Sequence, residues 1–243
     1  MVSKKQKGNN PVYAVNCLLK GVKLIGHKEL RKFVLIPILI NLVLYSIVFG
    51  FGYSYISDLI IQFIPGWLSW LEWLIWPLFF LSFSAMGFFT FTLLANLIAA
   101  PFYSQLSVKT VDIISGQNNK IENLPINQVV FAEVKRVLYL ISRMIPLVII
   151  SVIPGINLIA PFLWLLFGAW GMSLEFMAYP LENKGLLFNE QKNIAKNRRI
   201  GVLSFGGLVV AGLAIPIFNI IVAPAAVIGA TIYVHGIAVD DNK

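Results

Sequence analysis

The chain has 243 residues, of which 58% are hydrophobic and only 12% charged, and its mean hydropathy is +0.80. A soluble domain carries about 25% charged residues to solvate its surface, so composition excludes a soluble bundle and points to an all-α integral membrane protein. The net charge of +8 implies no nucleic acid partner, because the basic residues flank apolar stretches and form no compact recognition motif.

Met1 to Asn10 is polar, and the first apolar span starts too late and runs too long for a cleavable signal. From Pro11 to Lys28, Val12, Val15, Leu18, Leu19, Val22 and Ile25 recur at helical spacing, with Asn16, Lys20, Lys23 and His27 on another face. The pattern predicts an amphipathic helix over 11–28 lying along the membrane interface, held by apolar burial and anionic lipid headgroups. Cys17 is the lone cysteine, so no internal disulfide is expected, and neither a metal cluster nor a cofactor.

The segment Gly26-His-Lys-Glu-Leu-Arg-Lys-Phe33 leads into the first long apolar stretch. Gly26 releases the first helix and the residues from His27 onward restart a new one. The free N–H groups and positive dipole end of that new helix coincide with Lys28, Arg31 and Lys32. Backbone donors, a guanidinium fork and a second cation together suit an oxyanion. The alternative role for the same charges is to set topology and grip phospholipid.

A hydrocarbon core of about 30 Å needs roughly 20 apolar residues as helix, and Phe33 to Ser57 meets that length as the first crossing helix. The next segment, Asp58 to Glu72, holds Pro65 and Gly66 but no lysine or arginine, and Trp67, Trp70, Trp73 and Trp76 cluster in and just after it. Clustered tryptophan marks an interface and missing positive charge marks the outer side. Trp73 to Val108 would extend about 54 Å as one helix, too long for a bilayer without steep tilt. A break is therefore expected near Asn96 to Pro101, leaving a second crossing helix over 73–100. A cytoplasmic helical segment over 103–143 follows, with a polar turn at Gly116 to Lys120 and a helix from Pro125 to Arg143. In that helix Val130, Val134, Val137 and Ile141 form an apolar stripe, and Glu133 meets Arg136 as an exposed or partly exposed pair worth a few tenths of a kcal/mol. Glu133, Arg136 and Arg143 are either structural or the lining of a cytoplasmic vestibule.

Two further apolar stretches, over 144–174 and 200–239, are each interrupted. Pro154, Gly155 and Asn157 divide the first into arms of about 15 to 25 Å, too short to cross, so it reads as a re-entrant hairpin. Pro216, Asn219 and Pro224 divide the second into arms between half-penetration and a full crossing. A phrase recurs at three breaks: Asn96-Leu-Ile-Ala-Ala-Pro101, Asn157-Leu-Ile-Ala-Pro161 and Asn219-Ile-Ile-Val-Ala-Pro224. Non-helical backbone at membrane depth is tolerated only where protein buries it or water wets it, so the breaks point either to a permeation path or to tightly packed turns. The basic segments place both termini in the cytoplasm, and the whole of 1–243 forms one membrane domain.

The phrases Glu29-Leu-Arg-Lys-Phe-Val-Leu-Ile-Pro37 followed by Asn41, Trp67-Leu-Ser-Trp-Leu, Ala95-Asn-Leu-Ile-Ala-Ala-Pro-Phe102, Pro154-Gly-Ile, Ala169-Trp170 and Tyr179-Pro180 resemble the CysZ family of bacterial inner-membrane sulfate permeases. The resemblance implies sulfate uptake for assimilation into cysteine, a homo-oligomer of two or more copies, and two long crossing helices with half-penetrating hairpins. The family's basic pair falls on Arg31 and Lys32, with backbone groups of Glu29 and Leu30 completing the sulfate site. Many members have a second arginine where this chain has Lys32, which keeps the charge but not the planar fork.

Neither crossing run contains an Asp, Glu, Lys or Arg to relay protons, and no Gly-x-x-x-x-Gly-Lys-Ser/Thr loop is present to use ATP. Sulfate entering against an inside-negative potential costs about 2.3 kcal/mol per charge per 100 mV, roughly 4.6 for the dianion. The reading is a channel-like route whose selectivity comes from cations and helix-end dipoles. The alternatives are proton-coupled transport of sulfate or sulfite, a lipid-modifying membrane enzyme, and a scaffold.

Overall fold

The computed structural model describes residues 4–63, 72–116 and 124–238. Among these the regular elements are all helical: α1 Lys4–Gly8, α2 Pro11–Leu24, α3 Arg31–Phe63, α4 Glu72–Ser115, α5 Ile126–Val152, α6 Ala160–Glu182, α7 Phe188–Lys196, α8 Arg199–Leu213 and α9 Pro216–Ala238. A 3-10 turn, Ile156–Ile159, joins α5 to α6. The expected outer loop at Pro65, Gly66, Trp67 and Trp70 lies outside the described residues, as does the polar turn beyond Gly116. Compactness divides the chain into two units, Met1–Arg31 with Tyr103–Lys243, and Lys32–Phe102.

The second unit holds most of α3 and the first part of α4. In α3 Leu35, Leu39, Leu42, Val43, Ile47 and Phe51 are all exposed. These positions lie around much of the helix, and a helix apolar on every side needs an apolar surrounding. The window Arg31–Ser54 has mean hydropathy 2.4 with only 19% of it buried, so it is no core helix of a soluble protein. Ile156–Glu182 passes the same test of length and apolarity, at 22% buried.

In the first unit α2 packs on α9 and α6 on α8, with α2 also touching α8, and α6 touching α9. The buried face of α2 is Ala14, Cys17, Leu18 and Gly21, while Val12, Leu19 and Val22 stay exposed. Sequence periodicity grouped the large apolar residues as one face; of these the structure buries Leu18, together with the small residues Ala14, Cys17 and Gly21. Small residues let two backbones approach, and membrane helices associate through such close packing. Asn10 caps α2, its Oδ1 accepting from the N–H of Val12 at 2.8 Å and of Tyr13 at 3.4 Å. Tyr233 of α9 donates its hydroxyl to the Gly8 carbonyl, and Ile200 N–H donates to Asn9 Oδ1 at 2.8 Å, which ties the first helices to the last two. Ser104 Oγ donates to Asn183 Oδ1 at 2.8 Å, while Asn183 Nδ2 donates back to the Ser104 carbonyl at 3.0 Å.

Three expected boundaries differ. The predicted break at Asn96 to Pro101 does not occur: α4 runs unbroken through Pro77 and Pro101 for 44 residues. Proline deletes one hydrogen bond, yet leaving the helix would strand several backbone groups in an apolar surrounding, so the helix continues. For the same reason α5 runs from Ile126 through Pro146 to Val152, so neither end of the expected 103–143 segment is a helix end. The second stretch turns only at Ala214 and Ile215, and Pro216 opens α9, with Asn219 and Pro224 inside it. The repeated Asn-to-Pro phrase therefore occupies three settings, and only the Asn157 copy sits at a break.

At that break Gly155 adopts φ +85°, a left-handed conformation that glycine tolerates without strain. Asn157 N–H donates to the Ile153 carbonyl at 3.0 Å, and Ala160 N–H to the Asn157 carbonyl, so the turn pairs part of the tip's own backbone. Pro154 and Pro161 are exposed, and Pro161 lies in the first turn of α6.

Candidate functional site

The route from α2 into α3 is two tight turns. His27 N–H donates to the Leu24 carbonyl at 3.0 Å, and the His27 carbonyl then accepts from Leu30 N–H at 2.9 Å and Arg31 N–H at 3.0 Å. Glu29 N–H faces His27 Nδ1 at 3.4 Å. The new helix thus starts at Arg31 and not at His27, later than the sequence suggested. Because the His27 carbonyl draws in the Leu30 and Arg31 N–H groups, the first-turn donors pass to the following residues.

Gly26, Lys28, Glu29, Arg31 and Lys32 are exposed, whereas Leu30 is fully buried. Leu30 pins the turn while the three cations, Lys28, Arg31 and Lys32, stay at the surface. The Lys32 ammonium lies 5.1 Å from the Phe33 ring centroid. Asn41 follows within α3, one turn beyond Pro37.

A second polar site is buried. The Arg136 side chain is only 5% exposed, and its guanidinium bonds Glu133 at 3.0 Å, Glu175 at 3.1 Å and Glu182 at 3.1 Å. Gln191 supports the group, accepting from Arg136 at 3.4 Å and donating to Glu182 at 3.3 Å and to the Leu186 carbonyl at 2.9 Å. The pair expected of Glu133 and Arg136 forms and is partly exposed, Glu133 at 44%, and it is one edge of a network centred on the buried arginine. Glu175 and Glu182 are seven residues apart on α6 and so share a face, a spacing visible in the sequence but not connected to Arg136 there. Burial pushes the Glu133 carboxyl up, opposed by Arg136 and assisted by Glu182 and Glu175. Arg143 does not join this network: it is exposed, its guanidinium 5.4 Å from the Tyr139 ring centroid.

Residues 17–224 match the family described as sulfate transporter CysZ/etoposide-induced protein 2.4. The chain belongs to that family. A protein of Pseudomonas aeruginosa named sulfate transporter CysZ is 38% identical over 225 residues, covering 88% of this chain and 91% of the relative. The proteins so named in Pseudomonas fluorescens SBW25 and Pectobacterium atrosepticum are 40% and 33% identical, covering 89% of this chain and 88% and 82% of their own lengths. These relatives are named as transporters and not as enzymes. The long exposed apolar helices accord with that membrane setting.

Proposed function

We propose that this chain carries sulfate across the bacterial inner membrane to supply cysteine synthesis, by a channel-like route with an oxyanion site at the turn before α3. The observation that carries the reading is kinship over 88% of the chain with relatives named sulfate transporter. Support for the oxyanion site is local: Lys28, Arg31 and Lys32 are exposed on a turn closed by the His27 carbonyl and anchored by Leu30. Gly26, Glu29 and Leu30 shape that turn, and the sulfate is held by the three side chains with N–H groups from Lys32 onward. Asn41, Asn96, Pro101, Pro154, Asn157, Pro161, Asn219 and Pro224 remain proposed along the route. Both termini are assigned to the cytoplasm. Two features support insertion of the α5–α6 hairpin into lipid: its tip residues Ile153, Ile156, Leu158 and Ile159 are exposed, Leu158 to 76%, and the N–H groups of Asn157 and Ala160 bond within the turn. In α2 the exposed sector of Val12, Leu19 and Val22 beside Lys20 and Lys23 suits an interfacial position.

The test is labelled sulfate uptake into liposomes holding only the purified chain. Arg31→Ala is expected to slow uptake about tenfold, the low end for a charge-assisted hydrogen bond at an exposed position. Arg31→Lys is expected to fall between. Uptake at the original rate in a monodisperse Arg31→Ala protein removes this residue from the route.

Proton coupling is the second reading, favoured by Glu133, Glu175 and Glu182 around one arginine with the Glu133 carboxyl pushed up. Uptake that requires an imposed proton gradient selects it; uptake without a gradient selects the passive route.

A homo-oligomer is supported by α5, where Val130, Val134, Val137 and Ile141 are exposed at four- and three-residue spacing beside charged residues. Val134→Lys is expected to shift the detergent-solubilised chain to a smaller species by light scattering. An unchanged mass places the contact elsewhere.

A further inference from the structure

A groove of about 420 Å³ lies between α5, α6 and the start of α8, outside the Arg136 network. Its ten lining residues divide into two ends. Tyr139, Arg143, Trp170, Lys196 and Arg199 line one, and Leu147, Leu163, Leu166, Phe167 and Leu203 line the other. The order follows the hairpin. Leu147 lies one turn nearer the tip than Arg143, and Leu163 and Leu166 lie nearer the tip than Trp170, about 10 Å nearer for Leu163 at 1.5 Å per residue. Leu203 is one turn deeper into α8 than Arg199. Positive charge thus gathers at the end remote from the tip and apolar surface runs toward it.

Arg143, Lys196 and Arg199 are exposed, and among the described lining residues none is acidic. A further observation points to an occupant: the Trp170 indole N–H is buried and meets no acceptor among the described residues. A buried donor without an acceptor costs about 1–3 kcal/mol, and a ligand oxygen removes that cost. A small inorganic anion leaves the leucine-lined end unfilled; an amphiphile with an anionic phosphate fills both ends.

We infer that this groove is a specific site for an anionic phospholipid, its phosphate held by Arg143, Lys196 and Arg199, its glycerol oxygens within reach of the Trp170 N–H, and an acyl chain lying along Leu147, Leu163 and Leu166. Basic pockets between membrane helices at the cytoplasmic side take anionic headgroups in this manner, and interfacial tryptophan favours the same depth. The assignment rests on insertion of the hairpin into lipid and not on the sulfate site at Arg31. The occupant would bridge α5, α6 and α8 and so make their packing depend on membrane composition.

The experiment uses the full chain in phosphatidylcholine nanodiscs doped with phosphatidylglycerol whose acyl chains are brominated, and reads the tryptophan quenching lost on Trp170→Phe. The expected result is saturable quenching by brominated phosphatidylglycerol, absent with brominated phosphatidylcholine at equal dose. Arg143→Gln with Arg199→Gln is expected to raise the half-saturating dose about thirtyfold, roughly fivefold per cation. Lys7→Gln with Lys135→Gln, the same loss of charge away from the groove, is expected to leave it unchanged. Equal quenching by both lipids overturns the specific site while retaining the inserted hairpin. Quenching by neither overturns the insertion as well. Displacement by millimolar sulfate overturns the lipid assignment in favour of an inorganic oxyanion.

Discussion

Arg136→Met is expected to lower stability by about 3–5 kcal/mol, the usual consequence of deleting one partner from a buried ion pair. Methionine fills much of the space, so the loss comes from charge and not from a cavity. Glu133, Glu175 and Glu182 each bond the guanidinium now. Without it their mutual repulsion is uncompensated, most severely at Glu182, whose side chain is the least exposed of the three at 22%. Adding Glu182→Gln and Glu175→Gln is expected to restore a large part of the loss, because an uncharged network needs no cation. The loss has a definite pH dependence. The Glu133 carboxyl is already pushed up by burial, with Arg136 opposing that push, so removing Arg136 sends it higher. A carboxyl raised in the folded state binds a proton that the unfolded chain has released, so stability falls as pH rises through that window above its ordinary value and recovers on acidification. Thermal midpoints in detergent across that pH range check this; a midpoint unchanged by Arg136→Met leaves the network without a structural role.

Gly206→Ala should be strongly destabilising while Gly207→Ala, one residue on, should not. A Cβ at Gly206 would collide with the backbone carbonyl of Ala169 and with Ser173 Oγ. Neither can withdraw cheaply, since the carbonyl belongs to α6 and Ser173 already donates to the Val202 carbonyl. Separating α6 from α8 to make room loosens Phe205, Val209 and Leu174, all nearly or fully buried. Overpacking of this kind costs about 3 kcal/mol or more. At Gly207 the added Cβ meets Ala169 Cβ at 3.9 Å, an ordinary contact, and alanine gains up to about 1 kcal/mol in helix propensity. The two variants differ by one position on one helix, so opposite shifts in thermal midpoint isolate the close approach itself. Equal shifts show that the α6–α8 spacing is not set at Gly206.

The sequence made some of this legible and misled elsewhere for identifiable reasons. Helix content and membrane character were readable because long uncharged runs have no other use for their apolar surface. The turn at Pro154 and Gly155 was readable because two breakers coincide, one lacking a donor and one accepting φ +85°. A single proline carries less information: Pro101 and Pro224 lie inside helices that continue past them. The late start of α3 was hidden because it depends on the His27 carbonyl accepting two N–H groups, a geometry that residue types do not encode one by one. The Glu175 and Glu182 spacing pointed to a shared face, but nothing in the chain order linked that face to Arg136. Gly206 and Gly207 are chemically identical neighbours, and only the position of Ala169 separates them.

The clasp between α2 and α9 also has a consequence in time. Gly21 packs against the backbone of Ala225 and Gly229, and Gly229 against that of Leu18, so the buried face of α2 is completed by α9. Leu24 ends the one and Ala238, 214 residues further along the chain, ends the other. At about 5–20 residues per second of synthesis, α2 waits roughly 10–40 s before the whole of α9 is made. For that interval Ala14, Cys17 and Leu18 stay uncovered, and the membrane surface is the apolar shelter within reach. Although made early, α2 is among the last helices to reach its final neighbours.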